Sequence, residues 1–287
     1  MIYLNNKLVP RSRAKVSVFD HGFLYGDGIY ETLRSYGGVV FMFDDHIERL
    51  FQSASLIGLH IPRSPDEIKK AVYRTMEANR LSEAVIRITI SRGPGPVGLD
   101  PALCPAPTFV IFASQFRKYP GEFYRKGIKV CIADIRRNYS RALDPRIKSL
   151  NFLNNVLAKI DAKKKGAYEA LMLNYRGYLA EGTISNVFFI KDDVLYTPSL
   201  NVGILDGITR RTILNAAAEL GIKTREGKFK PQEISAAQEV FISNTTMEVM
   251  PVSRIVEGGR FHVPGRITVL LHKAYKRKVA DYTRREG

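Results

Sequence analysis

The feature that most constrains this chain is Lys148, which lies in the short segment that joins a predicted strand to a predicted helix. Residues 127–135 form an apolar run typical of a buried strand, and residues 152–165 follow the spacing of an amphipathic helix. A lysine amine attacks a carbonyl only when it is neutral, and partial burial or a cationic neighbour such as Arg146 favours the neutral form. A solvated loop lysine is the alternative interpretation.

A second segment places a carboxylate among small polar residues directly before an apolar strand. The carboxylate is Glu181, and Gly182, Thr183 and Ser185 follow it. Small residues permit a ligand to approach the backbone closely. The pattern therefore indicates a ligand-facing glutamate, although a simple turn between two strands has a similar composition.

Two further segments have the composition of an anion-binding site. Gly207-Ile208-Thr209 opens a predicted helix, and the free N–H groups at the N-terminus of a helix bind anions. Asn244-Thr245-Thr246 offers more N–H and hydroxyl groups, and Arg49 can add a charge-assisted hydrogen bond. Spacing alone equally permits Thr209 to be a plain helix cap.

Taken in this order, these segments resemble the fold-type IV pyridoxal-phosphate enzymes. That family includes the branched-chain aminotransferases, the D-amino-acid aminotransferases and aminodeoxychorismate lyase. The resemblance extends from residues 19–28 to about residue 257. It implies a mixed α+β or α/β fold of two domains. A small N-terminal α/β domain would span residues 1–115, a linker 116–126, and a larger pseudo-barrel domain that binds the cofactor 127–287.

The same resemblance implies pyridoxal 5'-phosphate as the cofactor and no metal. Lys148 would be the catalytic lysine that bonds to the cofactor aldehyde, and Glu181 would keep the pyridine nitrogen protonated so that the ring acts as an electron sink. Leu205 would pack against one face of the ring. The full set of cofactor-binding residues that it implies is Arg49, Lys148, Glu181, Leu205, Ile208, Thr209, Asn244 and Thr245.

The implied reaction is transamination between an amino acid and a 2-oxo acid. The freed amine of Lys148 would move a proton between the substrate Cα and the cofactor C4′, and a second oxo acid would reverse the steps. The candidate substrate-binding residues are Tyr30, Arg34, Arg87 and Thr246. The resemblance also implies a homodimer with its active sites near the subunit interface.

Different segments resemble different members of the family. The D-amino-acid enzymes favour Tyr-Glu and Ser-Thr-Thr, close to Tyr30-Glu31 and Asn244-Thr245-Thr246 here, but their usual Arg-x-His is absent from the loop that begins at Arg92. Residues 92–101 and Arg87 resemble the archaeal branched-chain type. We therefore expect a transaminase, with D-amino acids such as D-alanine and D-glutamate slightly ahead of L-branched-chain ones.

Two other functions remain open at this stage. Residues 30–34 and 199–211 resemble aminodeoxychorismate lyase, which eliminates pyruvate with the same cofactor. A binding protein without enzymatic activity would not need Lys148.

Composition limits the partners and the location. The net charge is +16, but the basic residues are spread along the chain and only residues 163–165 form a dense run, so we expect no nucleic-acid partner. No apolar run reaches the length of a membrane span, so we expect no membrane contact. Cys104 and Cys131 fit neither a disulfide framework nor a metal spacing, which is typical of a cytoplasmic protein.

Local patterns also predict individual elements in the N-terminal half. Residues 16–19 and 39–43 have the composition of short strands. Asp44 is predicted to cap a helix that runs from about residue 45 to 56. Ser64-Pro65 is predicted to open a helix that reaches about Asn79.

Overall fold

The computed structural model describes residues 1–287, which form two compact units. The first unit contains Met1–Arg117, Ile147–Phe152 and Val279–Gly287, and the second contains Lys118–Arg146 and Leu153–Lys278. The sequence-based division had assigned residues 147–152 and 279–287 to the larger domain. The structure groups residues 147–152 with the first unit because backbone hydrogen bonds tie them to the start of a strand there.

A six-stranded antiparallel sheet forms the first unit, with the strand order β2-β1-β6-β5-β3-β4. Its elements are β1 (Ile2–Leu4), β2 (Lys7–Val9), α1 (His21–Tyr25), β3 (Gly28–Tyr36), β4 (Val39–Val40), α2 (Phe43–Leu56), α3 (Pro65–Ala78), β5 (Ala84–Ser91) and β6 (Thr108–Gln115). Leu33 and Ile88 belong to a buried apolar core that includes residues of α2 and α3. Successive side chains of a strand point to opposite faces, so Tyr30, Thr32 and Arg34 lie on the other face.

Three local predictions for this unit meet different outcomes. The helix after Ser64 is confirmed, and its capping box joins the Ser64 side chain to Glu67 N–H and the Glu67 side chain to Ser64 N–H. The strand at residues 16–19 is wrong, because Asp20 N–H donates to Ser17 O and closes a turn there. The cap at Asp44 is also wrong: α2 begins at Phe43 after Met42, which has φ +52°.

The first turn of α2 explains that last difference. Asp44 and Asp45 lie inside the helix, where negative side chains stabilise the positive end of the helix dipole without capping it. The predicted strand at 39–43 is correspondingly short, because only Val39 and Val40 pair with β3 before the helix begins.

The second unit contains an eight-stranded sheet with the order β12-β11-β10-β13-β14-β7-β8-β9. Its elements are α4 (Gly121–Lys126), β7 (Ile128–Ile132), α5 (Leu153–Lys164), β8 (Glu169–Leu173), β9 (Leu179–Gly182), β10 (Asn186–Lys191), β11 (Val194–Pro198), α6 (Ile208–Glu219), β12 (Thr224–Gly227), α7 (Pro231–Ser235), β13 (Glu239–Asn244), β14 (Glu248–Ile255) and α8 (Arg266–Glu286). From Val279 onward α8 belongs to the first unit.

This second sheet is mixed, since β14, β7 and β8 run parallel whereas β10, β13 and β14 pair antiparallel. The predicted strand at residues 127–135 is confirmed only for Ile128–Ile132. One antiparallel sheet and one mixed sheet, together with the helices, confirm the predicted α+β class. None of the eight helices combines the length and the apolar character that crossing a bilayer requires.

Candidate active site

The backbone of Lys148 is fixed on both sides in the first unit. Its N–H donates to Ser53 Oγ at 3.2 Å, and its carbonyl accepts from Tyr30 N–H at 2.9 Å. The half-buried side chain places Nζ 4.5 Å from the centre of the Tyr30 ring. The amine therefore lies over an aromatic face of the first sheet, on a segment that pairs with the start of β3.

The same ring of Tyr30 contacts a second cation. The guanidinium carbon of Arg87 lies 3.8 Å from the ring centre, and Phe152 meets the ring edge-on at 5.6 Å. Arg87 Nε donates to Thr89 Oγ1 at 3.2 Å, and no carboxylate of the chain pairs with it. Burial lowers the pKa of Arg87, which stays charged at neutral pH because arginine starts so high. Arg87 is thus a half-buried cation without an anion.

Arg34 has a different environment, although it was predicted for the same role. Its guanidinium carbon lies 4.1 Å from the Tyr36 ring centre and 3.6 Å from the Phe116 ring centre. Only 7% of the residue is exposed. Stacking between two rings holds the cation in place, so of the two arginines Arg87 has the better access to a substrate.

A buried charge cluster surrounds Arg49. Arg49 Nε donates to Glu31 Oε1 at 2.7 Å and Nη2 to Oε2 at 2.9 Å, and His46 Nδ1 lies 2.8 Å from Glu31 Oε2. Burial alone would raise the pKa of Glu31, but Arg49 and the bond to His46 outweigh it and the pKa falls. Burial lowers the pKa of His46, and the charges of Arg49 and Lys148 add to the effect. The edge of the Arg49 guanidinium that carries Nε and Nη2 is therefore occupied by Glu31.

Glu181 lies near the end of β9 in the second unit and is buried. Its Oε1 accepts from Arg137 Nε at 2.7 Å, and its Oε2 accepts from Leu205 N–H at 3.0 Å and from Asn186 Nδ2 at 3.4 Å. The ion pair and these donors favour the ionised carboxylate. Sequence reasoning missed Arg137, because nothing in its local pattern distinguishes it from the adjacent Arg136.

Asn186 and Gly207 pack so closely that position 207 requires glycine. A Cβ at Gly207 would lie 2.0 Å from Asn186 Oδ1, well inside van der Waals contact. Asn186 Nδ2 also donates to Leu205 O at 3.1 Å. The amide therefore fixes the loop that leads into α6, with Leu205 bonded through both its N–H and its carbonyl.

The N-terminus of α6 offers unpaired donors. Gly207 is the cap residue and no side chain caps it, so the N–H groups of Ile208 and Thr209 have no acceptor in the chain. The Thr209 hydroxyl also makes no hydrogen bond, and Thr209 lies inside the helix rather than capping it. Two buried hydroxyls, Ser185 Oγ and Ser243 Oγ, lack partners as well. These donors fit a bound phosphate.

The turn between β13 and β14 is shaped by Asn244. Its Oδ1 accepts from Thr246 N–H, Thr246 Oγ1 and Met247 N–H, and its Nδ2 donates to Ile184 O. Its side chain is therefore used within the turn, and so is the hydroxyl of Thr246. Thr245 differs from both, since neither its N–H nor its hydroxyl has a partner in the chain.

Comparison with known proteins agrees with these features. Residues 28–255 match the family described as amino-transferase class IV. A Methanocaldococcus jannaschii protein named, provisionally, a branched-chain-amino-acid aminotransferase is 42% identical over 93% of this chain and 88% of its own. A D-alanine aminotransferase of Bacillus licheniformis is 35% identical over 88% of each chain.

One solved structure shares the fold over nearly the whole chain. The T.th. branched-chain amino acid aminotransferase with pyridoxamine 5'-phosphate superposes with a TM-score of 0.93 at 29% identity. The match covers 97% of this chain and 93% of the other.

Proposed function

Because this chain belongs to the class IV aminotransferase family, whose enzymes depend on pyridoxal 5'-phosphate, we propose that it transfers the amino group of L-branched-chain amino acids to 2-oxo acids. The pairing of Arg92 with Asp27 favours branched-chain over D-amino-acid substrates, and the observation that carries the proposed carboxylate site is Arg87. It is a half-buried cation without a carboxylate partner, and it shares the Tyr30 ring with the amine of Lys148.

Lys148 is the proposed catalytic residue. When bound, the cofactor supplies an aldehyde and an electron-withdrawing ring that together acidify the Cα–H of the substrate. Lys148 would hold the cofactor through its amine and, once the substrate amine displaces it, would move the proton between Cα and C4′. The two backbone hydrogen bonds of Lys148 fix the Cα from which the amine extends.

Glu181 is the proposed partner of the pyridine nitrogen. Its carboxylate is oriented by three donors, from Arg137, Leu205 and Asn186. A negative charge held there keeps the ring nitrogen protonated, and a protonated ring withdraws electrons more strongly. Leu205 is proposed to pack against the ring, since its backbone is fixed by Glu181 and Asn186.

The phosphate is proposed to bind the unpaired donors of the second unit. These are the N–H groups of Ile208 and Thr209, the Thr209 hydroxyl, and the N–H and hydroxyl of Thr245. Asn244 contributes by shaping the turn that presents Thr245, and Arg49 adds positive charge. The argument is one of chemistry, because a phosphate accepts several hydrogen bonds and these donors have no other acceptor.

The loop at Arg92 favours the branched-chain assignment over the D-amino-acid one. The guanidinium of Arg92 is occupied by partners within the chain. It donates two hydrogen bonds to Asp27, at 2.8 and 3.0 Å, and one each to the carbonyls of Ile57 and Gly58. The loop that follows therefore offers no free cation for a substrate carboxylate. Arg87, which matches an arginine of the branched-chain type, is available instead. This reverses the slight preference for D-amino acids that the sequence suggested.

D-amino acids remain the second candidate. The Tyr30-Glu31 pair and the turn at residues 244–246 resemble the D-amino-acid enzymes, and the relative from Bacillus licheniformis is named for D-alanine. Arg87 can bind the carboxylate of either enantiomer, so stereochemistry depends on which face of the substrate Cα meets Lys148.

A homodimer is proposed on the basis of exposed apolar side chains. Leu153, Val156, Leu157 and Ile160 are exposed and follow helical spacing along one side of α5. Contiguous apolar surface of this kind is unusual on a monomer and marks an interface.

A panel of half-reactions tests the proposed function. The purified holoenzyme is mixed with L-leucine, L-valine, D-alanine or D-glutamate, and the visible band of lysine-bound cofactor is followed. We expect L-leucine and L-valine to bleach the band, and Lys148→Ala to lack it, whereas the matched exposed-lysine variant Lys163→Ala keeps it. Bleaching by the D-amino acids alone would transfer the assignment to them. If no amino acid reacts and aminodeoxychorismate releases pyruvate, the enzyme is a lyase.

A further inference from the structure

Thr245, the unpartnered residue of the β13–β14 turn, is surrounded by residues that are held firmly. Thr246 Oγ1 lies 3.2 Å from the hydroxyl of Tyr119, and Tyr124 donates its hydroxyl hydrogen to Met247 O at 3.1 Å. Asn244 bonds to the turn from within. All of these residues belong to the second unit. The two residues that follow Thr245 are therefore held by side chains from another segment, those of Tyr119 and Tyr124.

A second layer supports Tyr124. Its ring stacks on His272 of α8 with 5.3 Å between ring centres and 23° between the planes. His272 Nε2 in turn lies 2.8 Å from Glu248 Oε2, and Glu248 is the first residue of β14. The imidazole thus contacts both the residue that holds Met247 and the residue that ends the turn.

Glu248 shows why the turn needs this support. Its φ is +59°, a left-handed conformation that is energetically unfavourable for any residue other than glycine. Only 7% of Glu248 is exposed. A strained residue persists only where its surroundings hold it. The contact with His272 supplies such a hold on Glu248, and so on the end of the turn.

We propose that Tyr119, Tyr124 and His272 are positioning residues that hold the Asn244–Glu248 turn so that Thr245 presents its N–H and hydroxyl to the cofactor phosphate. The inference rests on the proposed function, because it assigns Thr245 to the phosphate. None of the three residues need touch the cofactor. They act by fixing the turn in advance, which removes the entropy of ordering it from the free energy of cofactor binding.

Removal of single hydroxyls tests this proposal. Tyr119→Phe and Tyr124→Phe each delete one hydrogen bond to the turn and leave the ring. Since one neutral hydrogen bond is lost, we expect the dissociation constant of pyridoxal 5'-phosphate to rise about 3- to 10-fold in each variant. The 31P NMR signal of the bound phosphate should also shift. Turnover at saturating cofactor should change little, because Lys148 is untouched.

Tyr168→Phe is the matched control. Tyr168 is half-buried and packs against the same apolar core as Tyr119 and Tyr124, but its hydroxyl makes no hydrogen bond within the chain. We expect its cofactor affinity and its 31P signal to match those of the wild type. An equal loss in the control and in Tyr119→Phe would reduce the effect to general packing and overturn the proposal.

A double-mutant cycle separates positioning from the phosphate contact itself. Thr245→Ala should weaken cofactor binding, and Tyr119→Phe should add little in that background, because the residue it positions is gone. If Thr245→Ala leaves the affinity unchanged, the phosphate role proposed for Thr245 is wrong. If Thr245→Ala weakens binding but Tyr119→Phe does not, or if the two effects add fully, the positioning proposal is wrong and the proposed function stands.

Discussion

Arg137 Nε lies 2.7 Å from Glu181 Oε1, and both side chains are nearly buried. The pair fixes the carboxylate in one orientation, and the adjacent positive charge favours its ionised form. The other carboxylate oxygen is bound by Leu205 N–H, which belongs to the loop that leads into α6. Glu181 therefore links the segment that carries Arg137 to the segment that carries the proposed phosphate donors.

Glu181→Gln tests the role of that charge. The amide keeps the size of the side chain but removes the negative charge, so the ring nitrogen loses its anionic partner and Arg137 is left unpaired. We expect kcat to fall on the order of 10²-fold or more. Cofactor should still bind, because the phosphate donors are intact. Steady-state kinetics at saturating cofactor measure the change, and a kcat within about 2-fold of wild type would contradict the role of Glu181.

Arg87→Gln tests the proposed carboxylate clamp. Loss of a charge-assisted hydrogen bond should raise KM for both the amino acid and the 2-oxo acid about 10- to 100-fold. Cofactor affinity should stay the same, since Arg87 has no part in binding it. Arg63→Gln is the control, because Arg63 also stacks on an aromatic ring, Phe109, but is not proposed to contact a ligand. Unchanged KM values in Arg87→Gln would show that another residue binds the substrate carboxylate.

Gly207→Ala tests the close packing at the start of α6. The added Cβ would collide with Asn186 Oδ1, so Asn186 has to leave the carbonyl of Leu205 or the helix has to shift. Both movements displace the N–H groups proposed for the phosphate, and we expect cofactor affinity to fall about 10-fold or more. Gly121→Ala is the control, since a Cβ there meets only the flexible end of Arg125. Equal affinities in the two variants would refute the proposal that the N-terminus of α6 binds the phosphate.

His46 should make the protein sensitive to mild acid. Burial lowers the pKa of His46, so the folded state keeps the imidazole neutral while the unfolded state takes up a proton near pH 6.5. The unfolded state then binds more protons, and the free energy of unfolding decreases as the pH falls from about 7 to 5. Urea midpoints at several pH values measure this slope. His46→Gln should flatten it, whereas His60→Gln, at an exposed histidine, should not.

Glu31 should add a second acid-sensitive step at lower pH. Its pKa is lowered in the folded state, so the stability that it supplies is complete above the ordinary glutamate value of about 4.3 and is lost as the pH falls further. Glu31→Gln leaves the buried Arg49 without its partner and should cost about 3–5 kcal/mol of unfolding free energy at pH 7. A urea midpoint unchanged at pH 7 would show that the pair does not stabilise the fold.

Local sequence patterns were sufficient where a short segment carries its own physical cause. The capping box at Ser64 needs only residues three apart, and the helix start after Gly207 needs only glycine followed by a helical pattern. They failed where a backbone conformation overrides composition, as at Met42, whose left-handed φ starts α2 one residue before Asp44.

The sequence by itself indicated the family, because four segments in a fixed order resemble it. That resemblance also pointed to the roles that we propose for Lys148, for Glu181 and for the helix that begins after Gly207. Only the tertiary structure decided which arginines pair with a carboxylate of the chain. Residue type does not distinguish Arg92, Arg49 and Arg87. In the structure Arg92 pairs with Asp27 and Arg49 pairs with Glu31, whereas Arg87 has no carboxylate partner. The pairings join residues 18 to 65 positions apart, so they depend on strand register and helix packing that no local pattern encodes.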